Sequence, residues 1–221
     1  MYIDIHTHLN RLNVNNNLAL QDKVHFVGIH PWFIDIQNLD RDKMEIEKKL
    51  MTDSWCLVGE TGLDRLKSEV EFSVQLEVFH WHLDLAQKYS RPLVIHCLKA
   101  HADFLEILKK NQNPLVFLIH DYSGGEKELK EYLKYNIFFS FGRSLFRDQS
   151  KAQMVFKKVP IDRVFFETDD QEIFPIELIY QKAIELRKGH DWEKICEKNM
   201  LNFFRNFKDV SPTDIINHFS A

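Results

Sequence analysis

The sequence predicts an α/β fold built on a parallel β/α barrel of seven to eight strands, compact or irregular. Three observations carry that prediction. Short β-rich runs alternate with helical patterns, the order that a parallel sheet requires. Ionisable residues stand at the C-terminal ends of those runs, as they do where a barrel assembles a site at one mouth. An open doubly wound sheet would usually offer a phosphate loop after its first strand, and with 7 glycines the chain holds no GxGxxG or Walker pattern.

Taken in order, residues 2–6 alternate as a strand, and the next strand run, 24–30, closes on His30. Between them, 9–22 is polar, Asn-rich and too short for a helix plus a strand, so an irregular crossover is expected. The third run, 56–60, ends on Glu60. It is followed by Phe72, Leu76, Phe79, Leu83 and Ala86, whose spacing lays one apolar stripe along a helix. Runs 93–97 and 116–120 are apolar until His96 and His120. Run 137–141 is apolar nearly throughout, and 164–168 leads through Glu167 to Asp169. Beyond Asp170 only helical patterns follow, at 176–188, 191–207 and 212–219, which would complete the outer layer.

With no linker, repeat or low-complexity stretch, residues 1–221 read as a single domain. A hydrophobic fraction of 44% with 18 Phe supplies a core and excludes disorder as the main state. Lys and Arg number 29 against 33 Asp and Glu, a net charge of −4. That balance offers no global attraction for nucleic acid or an anionic membrane, so any phosphate must be held by a local feature. No apolar run approaches the ~20 residues of a membrane span, and the N-terminus lacks a charged-then-apolar leader. Cys56, Cys97 and Cys196 are odd in number and widely spaced, which fits buried thiols in a reducing compartment. A cytoplasmic protein without a membrane partner is the expectation.

His6 and His8 are two apart on a strand, so both imidazoles point to one face and can grip one ion. His80 and His82 share the spacing but lie on a helix, where two steps of about 100° separate them, and they read as structural or solvated. Glu60, His96, His120 and Asp169 end other strands. The six together offer imidazole nitrogens and carboxylate oxygens, a set that suits Zn²⁺, Mn²⁺ or Mg²⁺ rather than a thiolate-bound structural zinc. Six donors exceed a closed four-ligand site. Two divalent metal ions sharing a carboxylate, with positions left for water and substrate, accommodate them and suit phosphoester hydrolysis.

At these residues the chain resembles the TatD-like metal-dependent deoxyribonucleases, a branch of the metal-dependent hydrolase superfamily with a TIM-type (β/α) barrel. The motifs that carry the resemblance are Asp4-Ile-His6-Thr-His8, Gly28-Ile-His30-Pro31, Gly59-Glu60-Thr-Gly-Leu-Asp64, Val94-Ile-His96-Cys97, Ile119-His120-Asp-Tyr-Ser123-Gly124 and Glu167-Thr-Asp169, in the family's order over nearly the whole chain. The resemblance implies that His6, His8 and Asp169 hold one metal, that His96 and His120 hold a second, and that Glu60 bridges them. It further implies that Asp169 accepts the proton of the attacking water, with Glu60 beside it in the catalytic set, and that DNA is the substrate. His30 has two open roles, supporting the ligands or substrate and packing the barrel mouth. Asp64 is similar, with a supporting or substrate role open beside its first reading as the holder of a turn. Ser123 and Gly124 could offer N–H groups to a phosphate or simply form a loop and helix cap.

The substrate side departs from the family. Leu98 stands where an arginine is usual, with Lys99 after it, and Asp170 adds a carboxylate beside Asp169. A metal hydrolase of a small ester, amide or phosphoester is therefore the alternative reading, with a non-catalytic binding protein that retains the metal site as a third.

Overall fold

The computed structural model describes residues 2–7, 25–111, 114–169, 173–205, 211 and 213–215. Among them a single sheet of six parallel strands runs in chain order: β1 (His25–Val27), β2 (Cys56–Asp64), β3 (Leu93–Leu98), β4 (Phe117–Ile119), β5 (Ile137–Phe141) and β6 (Val164–Phe166). Helices α1 (Leu39–Thr52), α2 (Phe72–Tyr89), α3 (His101–Lys110), α4 (Glu126–Tyr132) and α5 (Lys151–Phe156) connect successive strands from β1 onward, and α6 (Ile176–Leu186) and α7 (Trp192–Phe203) follow the sheet. This strand-helix repeat is the α/β architecture of a TIM-type barrel.

The segment 2–7 occupies the gap between β6 and β1. Ile5 donates its N–H to the Phe166 carbonyl at 3.1 Å, Asp169 donates to the His6 carbonyl at 3.0 Å, and Thr7 bridges Asp169 in parallel. On its other side the His6 ring stacks on Phe26 of β1 with centroids 4.8 Å apart. The expected first strand is therefore an extended segment rather than a full ladder, and six named strands stand where seven to eight were expected. The reason lies in α6. The Tyr180 hydroxyl takes the Ile3 N–H at 3.1 Å and donates to the Ile3 carbonyl at 3.2 Å, so a side chain satisfies backbone groups that a strand would pair with its neighbour.

Strands β4 and β6 are shorter than the runs that predict them, because the chain turns as soon as the apolar residues end and the ionisable ones begin. The interior is aromatic: Phe138 and Phe139 of β5, Phe165 and Phe166 of β6, Phe156 of α5 and Trp192 of α7 are all fully buried. Helix α2 matches its predicted stripe, with Phe79, Leu83 and Ala86 buried. His80 is exposed and His82 buried, as two helical steps of about 100° dictate. The three cysteines are free and buried, and burial pushes each thiol up to about 12. Among the described residues no helix is long and apolar enough to cross a membrane. The crossover 9–22, most of the helix expected at 212–219, and Asp170 lie outside the described residues.

Candidate metal centre

His6, Glu60, His96, His120 and Asp169 meet at the mouth formed by the C-terminal ends of the strands. His8 lies outside the described residues. Glu60 is the hub. Its Oε1 lies 2.7 Å from His120 Nε2, 3.1 Å from His96 Nδ1 and 3.1 Å from His30 Nε2, while its Oε2 lies 3.4 Å from His6 Nε2. Asp169 Oδ1 lies 3.6 Å from the same His6 nitrogen.

The local backbone explains why Glu60 reaches so many partners. Strand β2 carries one extra residue against β3 between Val58 and Thr61, a bulge that re-aims the side chains within it. Gly59 has φ +138°, a conformation that disfavours any L side chain. A Cβ on Gly28 would lie 2.7 Å from the Gly59 Cα, so the glycine pair lets the loop after β1 close onto β2 and brings His30 to Glu60. Asp169 also sits at a positive φ of 56°, tied there by its N–H bond to His6.

Two further carboxylates stand behind the imidazoles. Asp64 Oδ2 faces His96 Nε2 at 3.0 Å, and Glu167 Oε1 faces His120 Nδ1 at the longer distance of 3.5 Å. Each carboxylate is itself pinned. Asp64 accepts the indole N–H of Trp32 and the backbone N–H groups of Leu66 and Lys67, and Glu167 accepts the Asp121 N–H and the Ser140 hydroxyl. An acceptor-only carboxylate at the outer nitrogen draws the ring proton to that side. With the ring protons on those outer nitrogens, His96 Nδ1 and His120 Nε2 present lone pairs to each other across 3.3 Å, with the Glu60 carboxylate beside both. Two lone pairs and an anion converging on one point repel unless a proton or a cation stands between them.

Distance alone sorts the donors differently, into His6, His120 and Asp169 on one side and His30, Glu60 and His96 on the other. The hydrogen bonding of His30 argues against its place as a ligand. Its Nδ1 accepts the Trp32 backbone N–H at 3.1 Å, so its proton sits on Nε2 and is donated to Glu60. His30 therefore orients the carboxylate, and the lone-pair geometry returns His120 to His96.

The electrostatics follow from burial and charge together. Burial alone would raise Glu60, yet the charge of His120 and the hydrogen bonds from His120, His30 and His6 hold it well below the usual carboxylate range. Burial and the His120 charge push His6 down, but Asp169 and Glu60 outweigh them and lift it to about 9. Asp169 stays below its ordinary value because the His6 hydrogen bond and the charges of His120 and His6 exceed the cost of burial. The cluster draws positive charge inward, and its nitrogen and oxygen donors fit a borderline or hard divalent cation.

Sequence reasoning gave no role to Asp4 or Glu167. Buried Asp4 accepts the Thr168 N–H at 3.0 Å and its hydroxyl at 2.6 Å, which fixes the residue before Asp169. Both stand inside quoted motifs, and a carboxylate two residues before a strand-end donor was the available signal. Asp64 does hold a turn, and it also orients His96. Ser123 is exposed, Gly124 packs so closely on Tyr122 that a Cβ there would lie 2.4 Å from the phenol oxygen, and the Gly125 N–H is taken by Glu128 at 3.0 Å. Leu98 ends β3 partly buried, and Lys99 is exposed.

The chain matches the family model described as TatD related DNase over residues 3–208. It is 29% identical over 155 residues to a metal-dependent hydrolase TatD of Mycobacterium tuberculosis, an alignment covering 67% of this chain and 58% of that protein. It is 30% identical over 153 residues to the human 3′-5′ RNA nuclease TATDN2, covering 67% of this chain and 20% of the relative. The chain thus spans less than two thirds of the length of these curated relatives. Among solved structures, the TatD homologue YjjV of Escherichia coli superposes with a TM-score of 0.70 at 21% identity, covering 83% of this chain and 76% of that one, which establishes a shared fold.

Proposed function

The chain belongs to the TatD-related DNase family, and on that premise we propose that it is a metal-dependent hydrolase that cleaves DNA phosphodiester bonds with two divalent cations. In this reading His6, His8 and Asp169 hold one cation, His96 and His120 the other, and Glu60 bridges them. The observation that carries it is the convergence of His96 Nδ1 and His120 Nε2, 3.3 Å apart, on the Glu60 carboxylate. Protonation relieves the repulsion among them in the free protein, and a bound cation would relieve it as well. The description of the family as DNases and the nuclease name of the human relative support a nucleic-acid substrate.

When bound, the cations supply Lewis acidity, which acidifies the attacking water and offsets charge on the phosphate oxygens. The protein's residues do the rest. Asp169, with its side chain 27% exposed at the mouth, accepts the water's proton as the new P–O bond forms and the P–O bond to the leaving sugar oxygen breaks, that oxygen taking its proton from solvent. Asp64 and Glu167 hold the two imidazoles in the ligating orientation before substrate arrives, and His30 does the same for Glu60. With a net charge of −4, local positive charge at the mouth is what draws a polyanion. Three free, buried cysteines are consistent with a cytoplasmic location for this activity.

The test is hydrolysis of single-stranded DNA, RNA and a chromogenic phosphodiester by metal-stripped protein resupplied with Zn²⁺, Mn²⁺ or Mg²⁺. Metal-dependent cleavage of DNA, abolished by chelator, is expected. Turnover of small esters with no cleavage of any polynucleotide would overturn the nuclease reading.

A further inference from the structure

One aromatic ring on the rim of this mouth serves neither the core nor the donor cluster. Trp32 and Phe33 follow Pro31 in the loop after β1, and Trp32 is fully engaged. Its indole donates to Asp64, its ring meets those of His30 and His96 edge-on at centroid distances of 4.8 and 5.4 Å, and the Lys67 ammonium lies 4.8 Å above it. Phe33 is 72% exposed, yet its ring centroid lies only 5.4 Å from that of His30.

This rim is built rigidly. The Phe33 N–H donates to the His30 carbonyl at 2.9 Å, and the Ser68 hydroxyl donates to the Pro31 carbonyl at 2.8 Å, which fastens the loop after β1 to the loop after β2. The second loop brings the exposed Lys67 to the same edge, over the Trp32 ring. An exposed aromatic ring on a fastened loop and a cation over the neighbouring Trp32 therefore stand close to the residue that orients Glu60. A nucleotide presents the complementary pair, a flat base and an anionic backbone, whereas a small ester presents no base to stack.

We propose that Phe33 is a specificity residue that stacks the base next to the scissile phosphate of a single-stranded nucleic acid, with Lys67 beside the adjoining phosphate. The inference deepens the nuclease reading and rests on it. Stacking is tolerant of base identity, so the site takes any base and admits deoxyribose and ribose strands alike.

The experiment compares wild type, Phe33→Ala and Phe33→Trp on labelled short single strands with one cleavable phosphodiester, in which the sugar next to that phosphate carries either a base or no base, in DNA and RNA versions. Substitution of an exposed ring leaves folding intact, which circular dichroism checks. Wild type is expected to prefer the base-bearing strand in kcat/KM. That preference falls about five-fold or more in Phe33→Ala, the lower end of what a lost base-aromatic stack produces, and returns in Phe33→Trp. The same strands titrated by fluorescence anisotropy in EDTA read stacking without turnover. Base-dependent affinity that is lost in Phe33→Ala, with no hydrolysis by wild type, would sink the nuclease reading while sustaining the stack. Equal affinity of wild type for base-bearing and abasic strands, or an equal preference in wild type and Phe33→Ala, overturns the proposal.

Discussion

Stability below neutral pH is expected to depend on His82, a residue outside the metal cluster. It is fully buried in α2, its Nε2 accepts the Ile29 N–H at 3.0 Å, and its Nδ1 donates to the Val78 carbonyl at 2.7 Å. The amide hydrogen of Ile29 fixes this tautomer, because a proton on Nε2 would confront it. Burial opposes the charged form as well, and the pKa falls from 6.5 to about 4. For a base whose folded pKa is depressed, the unfolded chain takes up its proton first as pH falls. The contribution to stability is thus complete above about 6.5 and is lost progressively until pH passes about 4. At ~1.36 kcal/mol per pH unit, the interval between the two states corresponds to about 3 kcal/mol, a large part of the ~5–15 kcal/mol typical of a domain. Urea unfolding from pH 7.5 to 4 measures it, with His82→Gln as the reference. The glutamine oxygen can accept the Ile29 N–H and does not titrate, and every other titrating group is common to both proteins. Wild type should lose about 3 kcal/mol more than the variant across that range. Parallel stability curves would show that His82 does not carry the linkage.

Glu60→Gln should impair loading of a metal pair more than His30→Ala does, since Glu60 faces both donor groups while His30 only orients it. Counting metal in purified variants decides this, and two tightly held ions in Glu60→Gln would assign the bridge elsewhere. Asp64→Asn removes the anion behind His96 and should weaken metal affinity by about 10- to 100-fold in competition with a chelator. Unchanged affinity would reduce Asp64 to a turn holder. Asp169→Asn keeps shape and one oxygen but loses basicity. At confirmed full occupancy its phosphodiesterase rate should fall by roughly 10²–10⁴-fold, and a rate within a few-fold of wild type would leave Asp169 as a ligand alone.

The strand-helix order could be read in the sequence because it depends on local pattern. An apolar run that ends on a histidine predicts a strand, its direction and its functional end at once; His120 directly follows β4, whereas β3 continues two residues past His96 and β2 continues through its bulge to Asp64, four past Glu60. Pairing across the fold left no such trace. Tyr180 replaces sheet partners of Ile3 from 177 residues away, and nothing near Ile3 announces that its backbone will be satisfied by a side chain. The role of Glu167 was hidden for the same reason, since it acts on an imidazole from another strand.

His30 shows how residue type and residue role come apart. By type and position it equals the other strand-end histidines, and by distance it groups with Glu60 and His96. Its role is set by a backbone amide two residues ahead, which occupies Nδ1 and turns Nε2 into a donor. The same logic separates His82 from His80: the burial of one follows from the helical period, but its neutrality follows from the amide of Ile29, the residue before His30. Both histidines are thus tied to one short stretch after β1 by backbone N–H groups. Ile29 and His30 are adjacent, so one short stretch of backbone serves both a buried imidazole of the helical layer and the imidazole that orients Glu60.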